Sequence, residues 1–531
     1  MIKTLAAALA AMMAATLAQV APASAETAVA SAVVPTECAR PLAVAERHQT
    51  DVATLTADGR VTFGGQRIAV TGPDVDFEIY DPARAAWSQW LRSWAWLAEV
   101  ARSVDPTLAV DIAVQWHEAV PDPGGAAALE TLRARGWTEA IVTPRMTLVS
   151  CLWAMTADER LRPVMEALAA ANLDPARYYG RPRFGPHNHG AMANFTLISA
   201  ADAFDRPEWA RAAVARFAVD FPEAYAACGA DGEQSSAYLV HNRRLWMRAA
   251  DAVADHGDPA LAGRIERRIA ALDAGLRVLT QPDGLLPAIG DGSPTAGLAP
   301  AGEGDLHWWC PERGWAAGRD AWSGTRVHYT ARFGPAMTAH GHDDHGSLTW
   351  WAEGVPVLVD RGNPAKDTDP AKQAWADSKF AHNTFAARGR DYRASSTATR
   401  RLARDQVTIT TSEDARGQGI TRERTAVIDL RAPRLAVADR GSARTRVMWA
   451  QTWHLDPQWG RVSLAGTVAT ARHAGGAVLT ISCERLGGAP AIVRVLDVPH
   501  YGARGAKVAA RAVVCEARGR EVALRTVLSV E

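Results

Sequence analysis

The spacing of apolar residues changes once along this chain, and that change limits the folds open to it. Between about 80 and 280, apolar residues recur at helical spacing, as Trp90, Leu91 and Trp94 do. From Thr325 onward, short β-branched stretches alternate with Gly, Pro and Asp turns, as in antiparallel sandwiches. The helical part has no strict repeat period, which favours helical hairpins stacked in an arc or toroid over a regular solenoid. The sequence therefore predicts an α-helical half followed by an all-β half.

Asp-Pro pairs mark where helices are expected to begin. The pairs Asp81-Pro82, Asp174-Pro175 and Asp258-Pro259 each place a capping carboxylate before a proline. A proline is tolerated at the first helical position because its missing N–H would have no partner there anyway. We expect a helix to begin at each pair.

The first residues predict export. Lys3, an apolar run over residues 5–17 and small residues ending at Ala25 together predict a signal peptide over residues 1–25. The run is shorter than the roughly 20 apolar residues that span a bilayer. A secreted or periplasmic protein with no membrane partner is therefore expected, with residues 26–75 forming a hairpin or linker segment.

Charge and cysteine content narrow the partners further. The chain has 58 basic and 58 acidic residues, so nothing in its net charge points to a nucleic-acid partner. Local basic residues, such as Arg388, Arg390 and Arg393, could still hold an acidic substrate. The six cysteines form no CxxC pair, which argues against a thiolate zinc site. Cys483 and Cys515, both in strand-like segments, are the best candidates for a disulfide.

The densest group of chemically active side chains lies in the run AHGHDDHGSLTW. His340, His342, Asp344 and His345 fall within six residues there. Such a group is costly unless it binds a metal, moves protons or sits in water. The run also matches the HxHxDH pattern of the metallo-β-lactamase hydrolases, in which imidazoles and a carboxylate hold zinc that activates water. A strand follows the run at once and no βα alternation surrounds it, which argues against that hydrolase.

A second family fits more of the chain. The sequence resembles the heparinase II/III-like polysaccharide lyases, which join a helical toroid to an antiparallel β-sandwich. The resemblance implies an incomplete (α/α) toroid over residues 76–318, followed by a sandwich over residues 319–531. It rests on HNHGAMANF with Asn188-His189, DGEQSSAYLV with Tyr238, HGHDDHGSLTWWAEGVPVLVDRG with His340, His342 and Asp360, and AHNTF with His382.

The resemblance implies β-elimination on a uronic-acid-containing, and therefore acidic, polysaccharide. Removing the weakly acidic C5 proton requires that the neighbouring substrate carboxylate be neutralised, and Asn188 and His189 would do this. Tyr238 would protonate the leaving oxygen, and it could also remove the C5 proton. His340 would act as the base or as a charge stabiliser.

The resemblance also implies a metal, zinc, held by His342, Asp360 and His382. Two imidazoles, one carboxylate and water suit zinc coordination. Elimination consumes no water, so a structural role beside His340 is favoured over a metal hydroxide.

One departure from the family pattern keeps an alternative open. Related enzymes usually carry a tyrosine soon after the Asp-x-Gly, whereas RGNPAKDTDPAKQAWADSKF has none and only Tyr392 follows nearby. A catalytically silent glycan-binding protein therefore stands beside the lyase and the zinc hydrolase. The sequence leaves the oligomeric state undetermined.

Overall fold

The computed structural model describes residues 59–63, 66–71, 75–77, 79–80, 85–125, 127–181, 185–292, 294–300, 304–335, 340–364, 370–390 and 394–531. The predicted signal peptide, the pair Asp81-Pro82, Tyr392 and Arg393 lie outside these ranges. Strands β1 (Arg60–Phe63) and β2 (Gln66–Ala69) pair as an antiparallel hairpin.

Helices fill the chain from residue 85 to residue 279, as the apolar spacing predicts. Most of these helices pack against a neighbour in the chain or the next helix but one, and they share one apolar core, in which Trp94, Trp116 and Trp137 are buried. The helices are α1 (Ala85–Arg92), α2 (Leu97–Ser103), α3 (Pro106–Ala119), α4 (Leu129–Arg135), α5 (Glu139–Thr156), α6 (Leu161–Leu173), α7 (Asn188–Phe204), α8 (Pro207–Ala224), α9 (Ser236–Asp255) and α10 (Pro259–Leu279). None of the described helices is both long and apolar enough to cross a bilayer.

Of the two predicted Asp-Pro pairs that the structure describes, one begins a helix and the other does not. The Asp258 carboxylate accepts the backbone N–H of Leu261 at 2.9 Å, and α10 begins at Pro259 as predicted. The prediction at Asp174-Pro175 is wrong, because Asp174 ends α6 and residues 175–177 form only a turn. There the Asp174 carboxylate accepts the N–H of Ala176 at 2.9 Å, and Arg177 turns away to pair with Asp122 at 2.7 Å.

Two antiparallel sheets form the second half. The strands are β3 (His307–Cys310), β4 (Trp315–Arg319), β5 (His328–Arg332), β6 (Leu348–Ala352), β7 (Val355–Leu358), β8 (Phe385–Ala387), β9 (Ser396–Leu402), β10 (Gln406–Ala415), β11 (Ile420–Asp429), β12 (Arg434–His454), β13 (Ser463–Ala465), β14 (Val468–Arg472), β15 (Val478–Arg485), β16 (Ile492–Tyr501) and β17 (Lys507–Val530). The smaller sheet has the order β3-β4-β5-β6-β7, and the larger has the order β13-β14-β15-β17-β12-β11-β10-β9, with β16 on β17 and β8 on β12. A helix, α11 (Pro370–Ala376), precedes β8.

The smaller sheet is the layer between the helices and the larger sheet. Trp315 and Ala317 belong to the helical core, whereas Ala316 and Trp350 belong to a core shared with strands of the larger sheet. All five residues of β4 are therefore buried, because both faces of this strand are covered. This layering brings the segment after β5 next to the ends of the helices.

Two disulfides tie the described chain together. Cys483 and Cys515 are bonded, which confirms the predicted pair in β15 and β17. A second bond joins Cys228, in the connection before α9, to Cys310 at the end of β3. This second bond crosses from the helical half to the first sheet.

Candidate active site

Residues from both halves meet where α7 and α9 begin. The ring of Tyr238, on α9, stacks on the imidazole of His340, which belongs to the segment between β5 and β6. The ring centroids are 3.6 Å apart and the planes differ by 11°. Two residues that lie 102 positions apart in the chain (340 − 238) thus form one surface.

Asn188 and His189 are fixed by the first turn of α7. The backbone N–H of Asn188 donates to the Glu233 carboxylate at 2.8 Å, and the side-chain oxygen of Asn188 accepts the N–H of His189 at 2.9 Å. The Nδ1 atom of His189 lies 2.9 Å from a carboxylate oxygen of Glu139, and the His189 side chain is 38% exposed. Because a carboxylate accepts hydrogen bonds, His189 donates from Nδ1 and presents its Nε2 edge elsewhere.

The first turn of α9 is hydrogen-bonded to the loop that precedes β3. Ser235 caps the helix by accepting the N–H of Tyr238 at 3.3 Å, and its hydroxyl donates to the backbone carbonyl of Asp291. The N–H of Ser236 donates to the carbonyl of Ile289 at 3.0 Å. Gln234 adopts a positive φ of 59° and donates its side-chain amide to the carbonyl of Pro335 at 3.1 Å. These contacts set where Tyr238 stands relative to His340.

Asp291 contacts two histidines of the site, His340 and His342. One of its oxygens is 3.0 Å from Nδ1 of His340, and the other is 3.4 Å from Nε2 of His342 and accepts the amide of Asn363. With Nδ1 of His340 donating to that carboxylate, its Nε2 faces Glu233, whose nearer oxygen is 3.6 Å away. One carboxylate therefore orients both imidazoles.

Two titratable groups near His340, one buried and one half-buried, have shifted pKa values. Burial, together with the charge of Asp231, raises the pKa of Glu233 to about 8, so its protonated form prevails at neutral pH. Burial, with smaller contributions from His189 and His340, lowers the pKa of His187 to about 4. The site therefore holds a neutral acid and a neutral imidazole beside the stacked pair.

The three predicted metal ligands lie side by side and are buried. Nδ1 of His382 is 2.9 Å from the Asp360 carboxylate, and the rings of His342 and His382 are 5.2 Å apart. Each residue keeps one buried polar atom with no hydrogen-bond partner in the described part of the chain: Nδ1 of His342, Oδ1 of Asp360 and Nε2 of His382. Such orphaned atoms are costly unless something binds them, so these residues are a candidate donor set, although they are not one of the described groups whose ligand atoms all lie within 4.8 Å of one another.

A second donor set shares His342. Ligand atoms of Asp291, His342 and Asp377 all lie within 4.8 Å of one another, as do those of His187, Glu233 and His340. Asp377 is partly exposed, whereas Asp360 and His382 are buried.

The HxHxDH run does not converge on one point. His340 and His342 both contact Asp291, but Asp344 bonds to Arg332 at 3.4 Å and His345 lies 3.4 Å from Glu413 inside the sandwich. The zinc hydrolase would need these side chains to converge on one or two zinc ions. The geometry therefore argues against that hypothesis.

Three carboxylates of the site, those of Glu139, Glu233 and Asp291, were not assigned from the sequence. Glu233 stands in the DGEQSSAYLV segment, five residues before Tyr238, so that segment could have indicated it. Glu139 and Asp291 lie about 50 residues from the histidines they contact, in segments without a recognisable motif.

Comparison with known proteins gives a family-model match over the second half of the chain and the fold of the whole. Residues 304–527 match the family model described as heparinase II/III-like, C-terminal. The structure is similar to that of a heparan sulfate lyase mutant from Pedobacter heparinus (13% identity, TM-score 0.64, covering 94% of this chain and 85% of that chain). It is also similar to heparinase III (11% identity, TM-score 0.72, covering 96% of this chain and 87% of that chain). No curated protein matches the sequence. The predicted fold, an incomplete (α/α) toroid followed by an antiparallel β-sandwich, is confirmed.

Proposed function

We propose that this chain, a member of the heparinase II/III-like family through its residues 304–527, is a polysaccharide lyase that cleaves a uronic-acid-containing polysaccharide by β-elimination. One observation carries the proposal, namely that Tyr238 stacks on His340 at 3.6 Å beside Asn188 and His189. Elimination needs an acid, a base and donors for the substrate carboxylate at one place. These four residues are of the types that this chemistry requires.

Asn188 and His189 would neutralise the uronate carboxylate. The side-chain oxygen of Asn188 already accepts the N–H of His189, so the amide NH₂ is the group left to donate. His189 donates from Nδ1 to Glu139, so Nε2 is the ring nitrogen that would donate to the substrate carboxylate. Two donors on the carboxylate stabilise the enediolate that forms as the C5 proton leaves.

Tyr238 and His340 would carry the proton transfers. In the elimination the C5–H bond breaks, its electrons form the C4–C5 double bond, and the C4–O bond breaks. Tyr238 would protonate the departing oxygen, and it could also remove the C5 proton. His340, oriented by Asp291, would act as the base or stabilise the developing charge. No water is consumed.

A zinc ion held by His342, Asp360 and His382 is part of the proposal. The orphaned nitrogen and oxygen atoms of these residues support it. The ion would contribute by fixing the strands beside His340 rather than by activating water. Asp291, which contacts both His340 and His342, would link the ion to the catalytic cleft.

The substrate class and the location are inferred more indirectly. The similar structures are described as a heparan sulfate lyase and a heparinase, and both names refer to acidic polysaccharides. An acidic polysaccharide is therefore the proposed partner of this protein. The sequence pattern of residues 1–25 supports a secreted or periplasmic location.

The test is incubation with a panel of uronate polysaccharides, followed by the ultraviolet absorbance of the new C4–C5 double bond. We expect a rise that falls at least about 100-fold in Tyr238→Phe, since a positioned acid or base contributes roughly that much or more. Tyr329→Phe is the matched control, because it removes a hydroxyl from a tyrosine buried in the sandwich core, where it contacts His307.

The other outcomes decide between the alternatives. New reducing ends without absorbance would contradict elimination and favour a hydrolase. Binding of a polysaccharide without either product would favour a catalytically silent glycan-binding protein. Circular dichroism of both variants checks that loss of activity is not loss of folding.

A further inference from the structure

An open cleft lies on the β-sandwich, outside the candidate active site. It has a volume of about 470 Å³ and forms where the pairing of β12 with β17 is interrupted between Ser442 and Val447. The end of β15 closes one side. The cleft is lined by Thr445, Arg446, Arg485, Arg518, Gly519 and Arg520, and we call it the arginine cleft.

The arginine cleft carries four positive charges and no acidic lining residue. None of its four guanidinium groups forms an ion pair with a described residue. Arg485 donates only to backbone carbonyls, of Ala489 and Arg518, at 3.4 Å each. Arg446, Arg518 and Arg520 are exposed. Like charges gathered without counter-charges repel one another, and a bound anion would relieve this.

The surroundings add to the positive charge. Arg390 donates to the hydroxyl of Thr445 at 2.8 Å, which places a fifth arginine at the rim. The nearby carboxylate of Glu516 is already engaged by Arg388 at 2.6 Å and by Arg494 at 3.0 Å. Glu516 is therefore not free to neutralise the cleft.

We propose that the arginine cleft binds the acidic groups of a polysaccharide at a site separate from the catalytic residues. Arginine suits this ligand, because its planar fork matches carboxylate and sulfate oxygens with two parallel hydrogen bonds. The volume falls within the roughly 300–1,000 Å³ of typical small-ligand pockets, enough for a sugar unit. The identity of the ligand rests on the proposed lyase function.

The register of the sheet separates the arginine cleft from the metal ligands. Gln451 of β12 pairs with Phe385, which follows His382 by three residues, and Arg446 precedes Gln451 by five residues in β12. At about 3.3 Å per residue, Arg446 lies about 17 Å along the strand from the Gln451–Phe385 pair. A long polysaccharide could contact both places, whereas a short oligosaccharide could not. The second contact would therefore strengthen the binding of long chains selectively.

The test measures binding directly, in a Tyr238→Phe background that prevents cleavage. Heparin, alginate and neutral dextran are titrated by calorimetry at low and moderate salt. We expect Arg518→Gln/Arg520→Gln to bind the acidic polymer about tenfold more weakly, with a shallower salt dependence, because two charge-assisted contacts are lost. Arg264→Gln/Arg267→Gln, which removes two exposed arginines from α10, is the matched control and should bind as the parent does.

Three results would overturn the inference: unchanged affinity in the cleft variant, equal loss in the control, or double-stranded DNA bound as tightly as the polysaccharides. The absorbance assay separates this inference from the proposed function. With an intact Tyr238, the cleft variant should cleave short oligosaccharides at the parent rate and long chains with a raised KM. If no polymer is cleaved but binding still depends on Arg518 and Arg520, the lyase proposal fails and the cleft stands.

Discussion

Replacing Glu233 by glutamine should change how the stability of the protein depends on pH. Glu233 is 4% exposed, and one of its oxygens accepts the N–H of Asn188 at 2.8 Å. Burial, followed by the charge of Asp231, raises its pKa from 4.5 to about 8. Glutamine keeps an acceptor for Asn188 but has no proton to lose.

The direction of the effect follows from where the proton is held. Below pH 4.5 the carboxyl is protonated in both the folded and the unfolded chain, so it has no net effect on stability. As the pH rises from 4.5 towards 8, the unfolded chain releases the proton and the folded chain retains it, so the wild type loses stability. The 3.5-unit difference (8 − 4.5) corresponds to an upper limit of roughly 5 kcal/mol, at about 1.4 kcal/mol per unit. Asp231, whose pKa is also raised by burial, shares this penalty, so we expect Glu233→Gln to gain about 2–5 kcal/mol relative to wild type over this range.

Glu413→Gln provides a control of opposite sign. Although burial acts to raise it, the Arg422 guanidinium and His345 lower the pKa of Glu413 to about 2. The two Glu413 oxygens accept from Arg422 at 3.0 and 2.6 Å. Its stabilising contribution is present above pH 4.5 and is lost as the pH falls through about 2. Glu413→Gln should therefore be less stable than wild type throughout pH 5–8, by an amount that stays constant.

Urea unfolding at pH 5, 6.5 and 8, followed by circular dichroism and tryptophan fluorescence, measures these differences. The two signals also report whether the halves unfold together. Parallel stability curves for wild type and Glu233→Gln across pH 5–8 would refute the assignment of a retained proton to this site.

Two further predictions concern side chains that support the site. Glu139→Gln should lower kcat about tenfold with little change in KM or in unfolding midpoint, because His189 loses the carboxylate partner that fixes its ring. Steady-state absorbance kinetics test this, and an unchanged kcat would contradict it. Mass spectrometry of the purified protein should find about one zinc ion per chain. The ion should be retained in Asp377→Asn and lost in Asp360→Asn. The reverse result would assign the metal to the set containing Asp291 and Asp377.

The division into a helical half and a β half could be predicted, because the local spacing of apolar residues in the sequence differs between the two halves. Strands β3 and β4 were harder to predict. All five residues of Trp315–Arg319 are buried between two layers, so the strand shows no alternation of polar and apolar positions. The failure at Asp174-Pro175 has a similar origin, because the pairing of Arg177 with Asp122, 55 residues away, competes with the local helix signal.

The candidate site was predicted in part for a related reason. Tyr238, His340 and the proposed metal ligands stand in segments that resemble those of a family, so they could be named from the sequence. Glu139 contacts His189, and Asp291 contacts His340 and His342, from distant segments that only the folded chain brings there. The disulfide between Cys228 and Cys310 likewise depends on a junction that no local pattern describes.

Because Tyr238 stacks on His340 across the junction of the helical half and the sheets, the proposed activity depends on how the two halves are held together, and not only on whether each half is folded. One ring is carried by a helix and the other by the segment between two strands, and the Cys228–Cys310 bond is a covalent link across the same junction. A small loosening of that junction would part the rings while every helix and strand kept its hydrogen bonds. Inactivation would then come well before unfolding, and tightening the junction would extend the working range of the protein without altering a single catalytic group.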